Sequence, residues 1–265
     1  MHHYIYTVFQ CKMSQAWEKL ERFSRILSAP LQRHVLRDGD SDRLVSLIER
    51  SLKLLWQSYS DLGYGNVYVS FNGGKDSVAI LHLHRLATLW NPQSKLSASG
   101  SPLNVVFFKD PDERLFSDIN DFILKTGTKY NFSVSVIEGP WNKGIPRLSS
   151  GSKKGYILGC RDSDFAKGSL SEVEEGCVDG IKFHRIHPIL HWGYGDVWNF
   201  LRLFSLEYCS LYDVGYTSIG GTEDTVANPY LRKPDGTYAP AYTLDDWSLE
   251  RFGRNKASHK LESST

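Results

Sequence analysis

The stretch NVYVSFNGGKDSVAILHLHRLATLW, residues 66–90, decides the fold. NVYVSF (66–71) is rich in Val and aromatics and short enough for a buried strand. From Asp76 onward the chain is apolar almost all round, as suits a helix packed against a sheet. Between the two lies a tight Gly73-Gly74 turn, so the polar residues Asn72, Lys75, Asp76 and Ser77 stand where a strand hands over to a helix N-terminus.

Working outward, the alternation repeats. LNVVFFKD (103–110), FSVSVIE (132–138), GYILGC (155–160) and KFHRIHPIL (182–190) read as further apolar strands, and SDINDFILKTGTKY (117–130) supplies a helix. A polar, Ser-rich loop fills 91–102. Strands alternating with helices predict parallel βαβ units in a doubly wound, mostly parallel α/β sheet of Rossmann-like form. In such sheets ligands bind beyond the carboxyl ends of the strands, where NGGKDS, KDPDE and CRDSDF begin. Two amphipathic helices precede this core: 14–27, with Ser14 as N-cap and Trp17, Leu20, Phe23 and Leu27 inward, and 41–56, stopped by Gly63 and Gly65. After His191 one more helix (195–204) leads into a partly irregular lobe dominated by Tyr, Trp and Gly. The expected organisation is a helical extension (1–60), a nucleotide-binding core (61–190) and a C-terminal lobe packed on it (191–265).

Composition narrows the function classes. Lys+Arg 31 against Asp+Glu 30 gives a net charge of +1, without the basic excess of a protein that grips nucleic acid backbone. Cysteines stand at 11, 160, 177 and 209, with no C-x-x-C pair and no metal-finger spacing, as in reduced intracellular proteins. The first residues show neither the basic start with a long apolar stretch nor the small-residue cleavage site of a secretory leader, and no apolar run nears the roughly 20 residues a membrane span needs. A cytoplasmic protein without nucleic acid or membrane partners is the expectation.

The turn is not a Walker loop: Val69 occupies the first glycine position and Asp76 separates Lys75 from Ser77. It is not a G-x-G-x-x-G fingerprint either. What remains is a Gly-Gly turn feeding a helix N-terminus, whose N–H groups and dipole favour a pyrophosphate-type anion. Asp76 would repel that anion unless it caps the helix or meets a divalent cation. By itself the motif is equally an ordinary loop with an N-cap. His184, His187 and His191 do not make a metal site on spacing, since Pro188 prevents a helix from aligning them.

Taken whole, SFNGGKDS (70–77) resembles the PP-loop of ATP pyrophosphatases, a fold of the adenine nucleotide α-hydrolase type. That superfamily includes adenylyl-sulfate reductases, tRNA-sulfur enzymes and FAD synthases. A reductase needs a nucleophilic cysteine, usually in a C-terminal tail, and the last here is Cys209; a thiolating enzyme wants paired cysteines and a basic face. GCRDSD (159–164), RIHPILHWGYGDVWNFLRLFSLEYCSLYDVGYTSIGGTEDTVANPYL (185–231) and PAYTLDDWSLERFGR (240–254) are similar to eukaryotic-type FAD synthase, or FMN adenylyltransferase. Phe165 stands where that family commonly has proline, and His191 where aspartate is usual. Some members add a molybdopterin-binding-like domain, for which these 265 residues are not expected to leave room.

The resemblance implies ATP and FMN as substrates, FAD as product and Mg²⁺ as cofactor, with apo-flavoproteins as possible recipients. It implies catalytic roles for Asn72, Asp76, Asp164, Arg251 and Arg254, with Asp76 meeting Mg²⁺ directly or through water. Ser70, Phe71, Gly73, Gly74, Lys75, Ser77, Gly159 and Arg161 would serve ATP and pyrophosphate. Asp164, Trp192, Tyr216, Ser218, Gly220 and Arg254 would serve FMN, with Tyr194, Trp198 and Tyr212 as further flat surfaces. Two alternatives stay open: a PP-loop enzyme acting on another anionic substrate, in adenylyl transfer or in reductase-like chemistry, and a catalytically silent nucleotide-binding module.

Overall fold

A computed structural model describes residues 2–37, 39–90, 103–139, 141–148, 152–165 and 168–254; the Ser-rich loop 91–102 lies outside the described residues. The elements in chain order are α1 (His2–Leu27), α2 (Asp40–Leu62), β1 (Val67–Ser70), α3 (Lys75–Leu89), β2 (Val105–Lys109), α4 (Ser117–Tyr130), β3 (Val134–Glu138), α5 (Trp141–Leu148), β4 (Lys154–Ile157), β5 (Val173–Val178), β6 (Ile181–Ile186) and α6 (Tyr194–Leu203). From Ser205 to Arg254 short 3₁₀ turns and two isolated antiparallel bridges, Thr225 with Arg254 and Arg232 with Tyr238, follow, in keeping with an irregular lobe.

The six strands lie in the order β3-β2-β1-β4-β6-β5. Five run parallel, and β5 closes one edge antiparallel to β6. Successive strands step outward from β1 through β2 to β3, after which the chain returns to the other side of β1 as β4. The order therefore reverses between β1 and β4, and the crevice beyond their carboxyl ends is where an open α/β sheet places its ligand.

Helix α3 explains the strongly apolar run after the turn. It lies against α1, α2, α6 and β1, and Val78, Ala79, Ile80, Leu81, Leu83, Leu86 and Ala87 are all fully buried. Even its histidines are inside: His84 Nδ1 is 2.6 Å from the Tyr59 hydroxyl, and burial pushes its pKa down to about 3. Side chains from α1 and α2, including Leu20, Phe23, Ile48 and Leu52, join one apolar cluster with the β1 face and with α6.

Several expectations change. Ser14 is no N-cap, because α1 runs through it from His2. The strand expected over 132–138 begins at Val134 and is mostly exposed as a sheet edge, and that over 182–190 stops at Ile186, two residues before Pro188. Helix α5, which contains Pro146, and edge strand β5 gave no readable pattern.

Because α3 is enclosed on every side, Leu81→Ala should cost about 2–5 kcal/mol in chemical denaturation. Leu89→Ala at the exposed end of the same helix should stay within about 0.5 kcal/mol of wild type. Equal losses at the two positions would contradict this account.

Candidate active site

The turn after β1 owes its shape to two glycines. Gly73 has φ +80°, and a Cβ there would stand 3.2 Å from Ile123 and 3.3 Å from Ile119 of α4, so both conformation and space favour glycine. Gly74 starts α3. Its N–H donates to Asn72 Oδ1 (3.0 Å), and the Lys75 N–H donates to the buried Tyr212 hydroxyl (2.8 Å). Ser77 Oγ donates back to the Gly74 carbonyl (2.8 Å). Two N–H groups expected to await an anion thus have protein acceptors, because Asn72 and Tyr212 reach them. Tyr212 is held from beneath by Trp198 (ring centroids 5.2 Å apart).

Lys75 also differs from the expectation of a free phosphate ligand. Its side chain is 2% exposed, with Nζ 3.0 Å from Asp76 Oδ2 and 2.5 Å from Glu250 Oε1. The second loop, after β4, supplies the partner cation. Gly159 lets it approach α3: a Cβ there would stand 3.2 Å from Asp76. Arg161, 1% exposed, places Nε 3.0 Å from Asp76 Oδ1 and Nη2 2.7 and 2.8 Å from the two Glu250 oxygens. Asp164 accepts from the Arg161 N–H (2.9 Å) and lies 3.4 Å from its Nη2. A simple surface pair of Arg161 and Asp164 is excluded by this burial.

The third part is the segment 247–254. Arg251 and Arg254, three apart in sequence, do not share an α-helical face, because 247–249 is a 3₁₀ turn and 250–253 continue as irregular turns. Arg251 is exposed at the cleft. Arg254 donates to Asp224 Oδ2 (2.9 Å) and lies on Gly220, where a Cβ would fall 2.3 Å from the guanidinium.

These loops enclose a cleft of about 650 Å³ at the reversal between β1 and β4. It brings together Ser70, Asn72, Gly74, Lys75, Asp76, Ser77, Gly159, Arg161, Asp164, Ser218, Arg251 and Arg254. Phe71 and Gly73 support the turn without lining the cleft, and Gly220 lines an adjoining hollow of about 100 Å³ with Phe107, Phe108 and Glu113. Trp192 is buried against Phe200 and Tyr216 packs on Phe116; neither reaches the cleft. Tyr194 lies under Lys75 Nζ at 5.2 Å and bonds the Ala241 carbonyl. Phe165 is exposed at the rim, and His191 Nδ1 sits 2.9 Å from Asp162 Oδ2. Glu250 and Asp224 were missed: their partners are far off in sequence, and the only local signal was a carboxylate beside two arginines.

The charges interlock. Burial works to raise Asp76, but Lys75 and Arg161 outweigh it and hold the carboxyl below its ordinary range. Asp164 goes the other way: burial raises it, with Asp76 and Glu250 adding and Arg161 opposing. Cys160, on the cleft wall, is pushed up to about 12 by burial, and then by Asp164, so its thiol stays protonated at neutral pH.

Residues 145–227 match the phosphoadenosine phosphosulfate reductase domain family. A probable FAD synthase of Schizosaccharomyces pombe is 36% identical over 225 residues, covering 81% of this chain and 82% of the relative. One from Caenorhabditis briggsae is 34% identical over 80% of this chain, which spans only 40% of that protein. The crystal structure of the Candida glabrata FMN adenylyltransferase, in complex with FMN and the ATP analogue AMPCPP, superposes with a TM-score of 0.73 at 22% identity, covering 90% of this chain and 98% of that one.

Two outcomes follow from the geometry. A raised Asp164 favours its neutral form in the fold, so its ionisation detracts from stability at neutral pH and costs nothing well below its unfolded pKa of about 3.9. Asp164→Asn should therefore melt at or above the wild-type temperature at pH 7, with the difference shrinking as pH falls; a clear drop in melting temperature at pH 7 would refute it. Tyr212→Phe strands the Lys75 N–H and should lose about 1–3 kcal/mol in denaturant titrations.

Proposed function

This chain belongs to the FAD synthase family, and we propose that its cleft transfers the adenylyl group of ATP to FMN, giving FAD and pyrophosphate. One observation carries the reading: three loops far apart in sequence, NGGKDS, GCRDSD and ERFGR, meet in one cleft at the sheet's reversal point. In the reaction an FMN phosphate oxygen bonds to the α-phosphorus of ATP as the bond to the β-phosphate oxygen breaks. The nucleophile is already an anion at neutral pH, so no strong general base is needed, and catalysis rests on positioning and charge neutralisation.

The turn and the start of α3 would receive the triphosphate, with Ser77 and Lys75 at its base. Arg251 and Arg254 line the cleft from the opposite segment and would take the charge that develops on pyrophosphate. Asp164, with Ser218 and Gly220, would orient FMN. Trp192 and Tyr216 have no part in this reading, because neither faces the cleft.

Mg²⁺ fits as an ion that arrives with ATP. Among the described residues no group of three or more His, Cys, Asp or Glu is placed to hold a metal, but Mg²⁺ is commonly bound by one or two carboxylates plus substrate phosphates. Asp76, partly open to the cleft, would supply that carboxylate. The ion would neutralise phosphate charge. The protonated Cys160 thiol does not suit the nucleophile that sulfate reduction requires.

Among the described residues no helix is long and apolar enough to cross a membrane, and Cys160, Cys177 and Cys209 are free. We place the reaction in the cytoplasm, with apo-flavoproteins as recipients of its product.

Purified protein given ATP, Mg²⁺ and FMN should form FAD and pyrophosphate in equal amounts, and chelation should stop it. ATP binding without FAD formation would overturn the proposal. Asp76→Ala and Arg254→Ala should each lower turnover at least about tenfold, equivalent to roughly 1.4 kcal/mol of barrier; wild-type rates would remove those residues from the mechanism.

A further inference from the structure

Glu250 makes close, buried ion pairs at the cleft, with Lys75 Nζ at 2.5 Å and Arg161 Nη2 at 2.7 and 2.8 Å. Its backbone is anchored on the other side. The Glu250 carbonyl accepts from Thr217 Oγ1 (2.6 Å), and the preceding Leu249 carbonyl accepts from the fully buried Asn228 (2.9 Å). Asn228 also donates to Thr217 Oγ1 (2.9 Å). Just beyond, the Val226 N–H donates to the Gly253 carbonyl (2.9 Å), and Arg254 rests on Gly220.

Charge makes this tie necessary. The segment contributes Arg251, Arg254 and Glu250 to the cleft lining, facing Lys75 and Arg161. Without Glu250 it would bring only cations against two buried cations. We propose that Glu250 is a positioning residue for adenylyl transfer, holding the segment that carries Arg251 and Arg254 onto the phosphate turn through Lys75 and Arg161. This rests on the reaction proposed above, but not on Glu250 touching either substrate.

The test is Glu250→Gln, which keeps length and shape and removes the charge, with Glu250→Asp as a second variant that keeps the charge but is one methylene short. For Glu250→Gln, kcat for FAD formation should fall at least tenfold while the ATP dissociation constant, measured by calorimetry without FMN, changes less than threefold. Glu250→Asp should fall between Gln and wild type. In an Arg251→Ala/Arg254→Ala background the further loss from Glu250→Gln should be under threefold, since Glu250 acts through the two arginines its segment carries. Hydrogen exchange at the Val226 and Arg254 amides should quicken at least tenfold in Glu250→Gln, with the amides of Val69 in β1 and of Phe71 just after it unchanged.

Wild-type kcat in the Gln variant, a fully multiplicative loss with the Arg251→Ala/Arg254→Ala pair, ATP affinity falling in step with kcat, or unchanged exchange at Val226 and Arg254 would each overturn the proposal. If the wild-type chain made no FAD, the reaction itself would be wrong. The exchange data, which need no substrate, would still decide whether Glu250 holds the segment.

Discussion

Two cations with almost no access to water, Lys75 and Arg161, are held by two carboxylates from separate parts of the chain, Asp76 and Glu250. Burying such charges is expensive, and removing one partner typically costs several kcal/mol because the other is left uncompensated. The start of α3, the loop after β4 and the segment before Arg254 therefore constrain one another. Pulling any one away strands charge in the other two.

The sheet makes that meeting possible. Because strand order reverses between β1 and β4, the loops that leave their carboxyl ends diverge to opposite sides and leave a crevice between them. Packing α3 on both faces fixes the direction of its N-terminus, and the Trp198 and Tyr212 rings hold the hydroxyl that accepts from Lys75. The aromatic lobe foreseen as a surface for a flat ligand serves in large part as this support.

How much was legible depended on how local each signal was. Strand β1, the turn and α3 stood out because a continuous apolar run and a Gly-Gly pair reflect burial and backbone conformation, both properties of neighbouring residues. Strand β5, VEEGCV, did not, since an exposed edge strand carries charge at many positions and pairs only with β6. Helix α5 was hidden by Pro146, and Ser14 misled because a residue able to cap a helix can also sit inside one. Trp192 was expected as a flavin surface from its place in the aromatic lobe, but its ring packs on Phe200.

By itself the sequence determined the α/β class, the strand-turn-helix at 66–90 and the three polar loops, because periodicity and glycine placement are written in adjacent residues. Only the tertiary structure decided what the charged residues do. Asp76, Asp164, Arg251 and Arg254 were identifiable as types in motifs, but that Lys75 turns inward, and that Glu250 is its partner 175 residues away, depends on which loops the sheet reversal brings together. Ion pairing follows distance in space, and no local pattern along the chain encodes that distance.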